Sequence, residues 1–152
     1  METHVSKHAK RDPVRQFSIF ADNKVGRLNE IVQRFGAANV HIMAFSQLDT
    51  SECTIMRFIF DDWESATEVL CRFRYAHTMM EVIAVEISSE AEIRVVTSAL
   101  VEAEINIHYI YPFVMRPREK SALALSVEDN ELATHALETR GLKVLEGSDI
   151  YR

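Results

Sequence analysis

The chain has 152 residues, 47% of them hydrophobic and 26% charged, with a formal charge of −6 at pH 7. That acidic balance removes the electrostatic drive of sequence-independent nucleic-acid binding and of attraction to an anionic membrane. No apolar run is long enough to span a bilayer, and residues 1–14 form a polar tail without the apolar core of a signal peptide, so a cytoplasmic setting is expected.

After the tail, residues 17–21 are rich in aromatic and branched side chains and read as a strand. Asp22, Asn23, Lys24, Val25 and Gly26 supply turn chemistry, and Leu28, Ile31, Val32 and Phe35 then fall on one stripe of an amphipathic helix. The helix is expected to end near Asn39, a residue that tolerates the left-handed conformation. Strands follow at 40–48 and 54–60 around a hairpin at 49–52. Asp61 or Asp62 caps a second helix, which carries Ala66, Val69, Leu70 and Phe73 at helical spacing. Residues 79–87 form one long apolar segment, read as the last strand of one unit running into the first of another, with a kink near 82–84 and no flexible linker. A helix at 92–102, strands at 105–115 and 121–127, a helix at 130–140 and a strand around 142–145 complete the chain. Pro112 and Pro117 lengthen the second hairpin.

The order βαββαβ therefore occurs twice, and the residues repeat with it. Leu28, Ile31 and Phe35 return 65 positions later as Ile93, Val96 and Leu100, and the run 38–42 returns as 103–107. A repeat of this length is a small domain rather than a solenoid unit. The expected organisation is a polar tail at 1–14, one unit at 15–82 and a second at 83–152, an α+β chain of two ferredoxin-like units in tandem. A half of about 70 residues buries a modest share of its surface, so each needs its twin or another subunit, and a homodimer is expected. Pockets favour such seams. Ile55 and Ile59 point to one side of their strand and Met56, Phe58 and Phe60 to the other. With both faces partly apolar, the helix-free face is expected to be covered by another sheet or another subunit.

Enzymatic signatures are missing. His4, His8, His41, His77, His108 and His135 form no local metal motif, and the chain carries no nucleophile elbow, phosphate-binding glycine loop or dinucleotide fingerprint. No catalysis, metal or cofactor is expected. Cys53 and Cys71 lack metal or redox spacing and read as buried free thiols. RNA-recognition domains share this element order and stack bases on strand aromatics, as Phe58 and Phe60 superficially invite. The acidic charge and the absence of the basic residue and glycine that open that motif set RNA binding behind the other readings.

The run Asp22-Asn23-Lys24-Val25-Gly26-Arg27-Leu28 after a strand, followed by Ala37-Ala38-Asn39-Val40-His41-Ile42, resembles the ACT domain family of amino-acid metabolism. Two copies from residue 15 onward resemble the tandem-ACT proteins of bacteria. The resemblance implies sheets paired edge to edge through their second strands, helices together on one side, and a free amino acid or similar metabolite bound at the seam. It implies a ligand site at Asp22, Asn23, Val25, Gly26, Arg27 and Leu28, with Asn106, Ile107 and His108 from the other half. Gly26 lets backbone approach ligand, and the helix start beyond it favours a carboxylate. Asn106 can both donate to and accept from a zwitterion.

The second copy departs from that pattern: Ala91 stands in the glycine position of the Ser89, Glu90 and Ala91 loop, and Glu104 replaces Asn39. Its seam with Val40 and His41 is expected to be degenerate. Even the first copy has Val25 where the family usually has proline. The implied function is a non-catalytic sensing module that regulates an unidentified protein; the alternative is a ligand-free dimerisation module.

Overall fold

The computed structural model describes residues 11–152. His4, His8 and most of the polar tail lie outside the described residues. The elements are β1 (Val14–Ala21), α1 (Arg27–Ala37), β2 (Ile42–Asp49), β3 (Thr54–Phe60), α2 (Trp63–Arg72), β4 (Ala76–Ile87), α3 (Glu90–Glu102), β5 (Ile107–Pro112), β6 (Ser121–Val127), α4 (Asn130–Thr139), β7 (Val144–Leu145) and α5 (Gly147–Ile150). The fold is α+β, with βαββαβ order twice over.

Local chemistry sets the helix limits. Asp62 and Asp129 cap α2 and α4 by accepting the amides of Ser65 and Leu132. Asn39 leaves α1 in the left-handed conformation at φ 58°, and Glu104 leaves α3 at φ 55°, so the same turn is made by a residue poorly suited to it.

All seven strands join one antiparallel sheet in the order β2-β3-β1-β4-β6-β5, with β7 also on β4. The junction is β4 itself. It pairs with β1 as far as Val14 opposite Val82, then with β6 from Ile83 opposite Leu125 and with β7 at Ala84 and Val85.

Strand alternation keeps one side of β4 facing helices throughout. On that side Phe17, Ile19, Met56, Phe58 and Phe60 pack against Ile31, Phe35 and Leu70 in the first unit. Ile83, Val85, Leu123 and Leu125 pack against Val96, Leu100 and Leu137 in the second. The helix-free side has its own core of Val14, Ala44, Ile59, Val82, Ala84, Tyr111, Ala122 and Ala124. The sheet thus curls until its helix-free face closes on itself, so the cover expected from another sheet or another subunit comes from the same sheet.

The edges of β2 and β5 meet at an isolated bridge, Ala44 opposite Phe113, and the amides of Val114 and Met115 donate to the Met43 carbonyl at 2.9 and 3.1 Å. The edge-to-edge junction therefore runs along a shared strand, and no hydrogen-bonded ladder joins the second strands. Sharing β4 puts β2 and β5 at opposite ends of the strand order, so only the coiling of the sheet returns them to each other. The thiols also depart from expectation: Cys71 is exposed on α2 and Cys53 half-buried in the turn before β3, because each sits outside the apolar stripe of its segment.

Candidate ligand site

The loop between β1 and α1 borders a half-open cavity of about 330 Å³. Asp22, Asn23, Lys24, Gly26, Arg27, Leu28 and Asn29 line it, and Gln47 and Met56 close it from the sheet. Gln47 and Met56 are direct cross-strand partners in β2 and β3, so the hairpin supplies one wall and the helix entry the other. Gly26 is the N-cap of α1 with φ 84°, and a Cβ there would meet no heavy atom within 4 Å. The conformation needs glycine, and the space above it is open. No side chain caps α1; the Arg27 amide donates to the Lys24 carbonyl at 3.1 Å, and the amides of Leu28 and Asn29 and the positive end of the dipole remain available.

Charges at the rim are tightly paired. Asp22 accepts from Arg27 Nε at 2.8 Å and lies 3.0 Å from Lys24 Nζ, which holds its carboxyl below the usual aspartate range. Glu30 accepts from the Tyr75 hydroxyl at 2.8 Å and contacts Arg27 and Arg34. The tyrosine bond is the main reason its carboxyl is depressed; burial and that same carboxylate push the Tyr75 phenol up. Asp22 faces two cations, Arg27 and Lys24, and Arg27 is shared with Glu30.

Other residues indicated by the sequence are placed elsewhere. Val25 stands fully exposed at the loop tip, away from the cavity lining. Asn106 and His108 are exposed at the start of β5, and Ile107 packs on the second unit's helix-side core. None of these three lines the Gly26 cavity. In the second copy, Ser89 caps α3 without a side-chain bond, Glu90 and Ala91 lie exposed in its first turn, and Glu92 holds the Ser88 amide at 3.0 Å. Val40 is buried in the first unit's core. The His41 amide donates to Asp61 at 2.8 Å, and its Nδ1 lies 2.9 Å from the same carboxylate, which Arg152 also contacts. Val40 and His41 are thus occupied by the turn into β2.

Two features escaped sequence reasoning. A cavity of about 470 Å³ lies between the units, lined by residues 11–14, 81–83, 130, 131, 134 and 144–146. Four separate segments build it, and the kink in the apolar run 79–87 was its only sequence signal. On the helix-free side, Gln16 is fully buried, donates to the Tyr109 hydroxyl at 2.7 Å and accepts from the Tyr111 hydroxyl at 2.5 Å. Burial pushes the Tyr111 phenol far up, so it stays a protonated donor. Arg57 stacks 3.8 Å over the Tyr109 ring. This network staples β1 to β5. Among the described residues no cluster of three or more His, Cys, Asp or Glu could hold a metal ion, and no helix is long and apolar enough to cross a membrane.

The family described as an ACT domain pair matches residues 13–151. No curated protein matches the sequence. Among solved structures, protein BT0572 from Bacteroides thetaiotaomicron is similar with a TM-score of 0.83 at 21% identity, covering 95% of this chain and 99% of that one. The ligand-free regulatory subunit of aspartate kinase from Thermus thermophilus is similar with a TM-score of 0.59 at 14% identity, over 85% of this chain and 91% of that one. Its counterpart from Thermus flavus gives 0.54 at 14% identity, over 87% and 94%. At these identities the likeness is one of fold.

Proposed function

We propose, from the premise that this chain belongs to the family of ACT domain pairs, that it is a regulatory module binding a free amino acid in the Gly26 cavity without acting on it chemically. The observation that carries this reading is the open space over a left-handed glycine at an uncapped helix start. There the ligand carboxylate meets the amides of Leu28 and Asn29 and competes with Asp22 for Arg27 and Lys24. The Gln47 amide, which both donates and accepts, suits the ammonium or a polar side chain, while Leu28 and Met56 suit apolar groups. The contacts come from the first unit alone. Two proteins sharing the fold are regulatory subunits of aspartate kinase, and a regulatory role is what we carry over from them. Regulation follows if the ligand binds one arrangement of the units or subunits better than another.

A second reading, a ligand-free interaction module, draws support from Asp22, whose carboxylate is already engaged by Arg27 and Lys24.

A thermal-shift series with the twenty amino acids separates the two. At a hundredfold excess over Kd, one ligand or a chemically related few should stabilise the protein by roughly 2.7 kcal/mol, a rise of several degrees. Gly26→Trp should lose the shift, and Gly26→Asn, which tolerates positive φ, should retain part of it. A flat profile for every amino acid overturns ligand binding in favour of the second reading.

A further inference from the structure

Exposed sheet edges are a standing invitation to another strand, and soluble proteins blunt them with lysine, proline, bulges or a covering element. The first half of β4 has no lysine, proline or bulge, and only Asn130 at the start of α4 reaches over its far end. Residues 76–81 read Ala-His-Thr-Met-Met-Glu and pair with β1 in unbroken register. β6 joins β4 only from Ile83 onward, then runs on into the start of α4. Among the described residues no strand pairs with the second edge of 76–82. Met79 and Met80 are 48% and 42% exposed. Asn130 Nδ2 donates to the Glu81 carbonyl at 3.3 Å. Since β6, where paired, holds the edge that continues toward Asn130, the Glu81 carbonyl points to the open edge. By strand alternation the backbone groups of Met79 and His77 point there too.

We propose that this edge is a self-recognition surface, on which a second copy of the chain adds its own β4 antiparallel about a twofold axis at Met79. The occupant follows from the pattern. Centred on Met79, residues with outward-facing N–H and C=O meet each other once the Asn130 side chain swings off the Glu81 carbonyl, Met79 lies against the partner's Met79, and Thr78 against the partner's Met80. His77 falls opposite the partner's Glu81, and the symmetry makes that pair twice. His77 Nδ1 donates to the Tyr75 carbonyl at 2.8 Å, and Nε2 donates to the carboxylate when the ring carries both protons. Registers centred on Thr78 or Met80 lose the histidine–glutamate pairs. Methionine adapts readily to an apolar neighbour, including its own copy. The result is one sheet running through both protomers, independent of any ligand in the Gly26 cavity.

The test uses the symmetry. Light scattering across micromolar to submillimolar concentration should give the dimer mass for the wild type. Met79→Lys and Met79→Glu, each setting like charges face to face at an exposed position, should weaken the dimer about tenfold or more, with circular dichroism unchanged. Mixing the two variants should restore the dimer mass as a heterodimer. In a Cys53→Ser, Cys71→Ser background, Met79→Cys should oxidise to a linked dimer, since such a pair sets Cα atoms about 5.5 Å apart. A wild-type monomer throughout overturns the proposal. So does a dimer that both charge variants leave intact, which would mean that another surface or another strand is used.

Discussion

Asp62 shows how a single carboxylate sets a helix boundary and how far that can be tested. Its charged form accepts the Ser65 hydroxyl at 2.7 Å and the Ser65 amide at 3.1 Å, and these bonds lower its pKa from the ordinary 3.8. A depressed carboxyl stabilises the fold in full above its unfolded-state value, and the contribution fades as pH falls through the lower folded-state value. Asp62→Ala should therefore cost about 1 kcal/mol near neutral pH, and distinctly less in acid, as urea midpoints at the two pH values would show. A constant difference would mean that charge on the cap is irrelevant. Capping was readable from sequence because it is local, as was the left-handed turn at Asn39. Gln47 and Met56 were not readable as cavity walls, because strand pairing brings them to the Gly26 loop from more than twenty residues away. The same limit applies to Asn106 and His108, whose positions matched a family pattern while their surroundings depended on how the sheet curls.

Helices and strands were the most legible level, since apolar spacing alone marks Ile31 and Phe35, Val69 and Leu70, or Val96 and Leu100 as inward faces. The two-residue β7 and four-residue α5 are too short to carry a period. The strands also displayed a second apolar face, and the structure explains its small residues. Ala84 lies directly opposite Ala124, and both are fully buried with Ala44 and Ala122 nearby, where the curled sheet approaches itself. Larger side chains there would hold the walls apart. Ala124→Leu should destabilise the protein by about 1–3 kcal/mol through overpacking. Chemical denaturation measures it, and an unchanged midpoint would show slack that the fully buried alanines contradict.

At the scale of the molecule, duplication was plain in the sequence but the manner of joining was not, since a shared strand and two strands linked end to end look alike as text. Besides β4, the units are tied by the network of Gln16 with Tyr109 and Tyr111, and by Arg152, which reaches Asp61, Asp62 and the Asn39 carbonyl. Such ties should make unfolding a single event. Trp63 is the only tryptophan and lies in the first unit, whereas far-UV circular dichroism reports both. Their urea curves should superimpose, and a fluorescence transition displaced from the dichroism would show that the halves melt separately. The partner exchange along β4 also imposes a rule of parity on any chain of this design. Ile83, Val85 and Ile87 face helices while Val82 and Ala84 face inward, so one residue inserted between 82 and 83 would turn the second copy's first strand inside out, whereas two would leave its facing intact. The seam is numerically even, and natural drift in its length can proceed only by pairs.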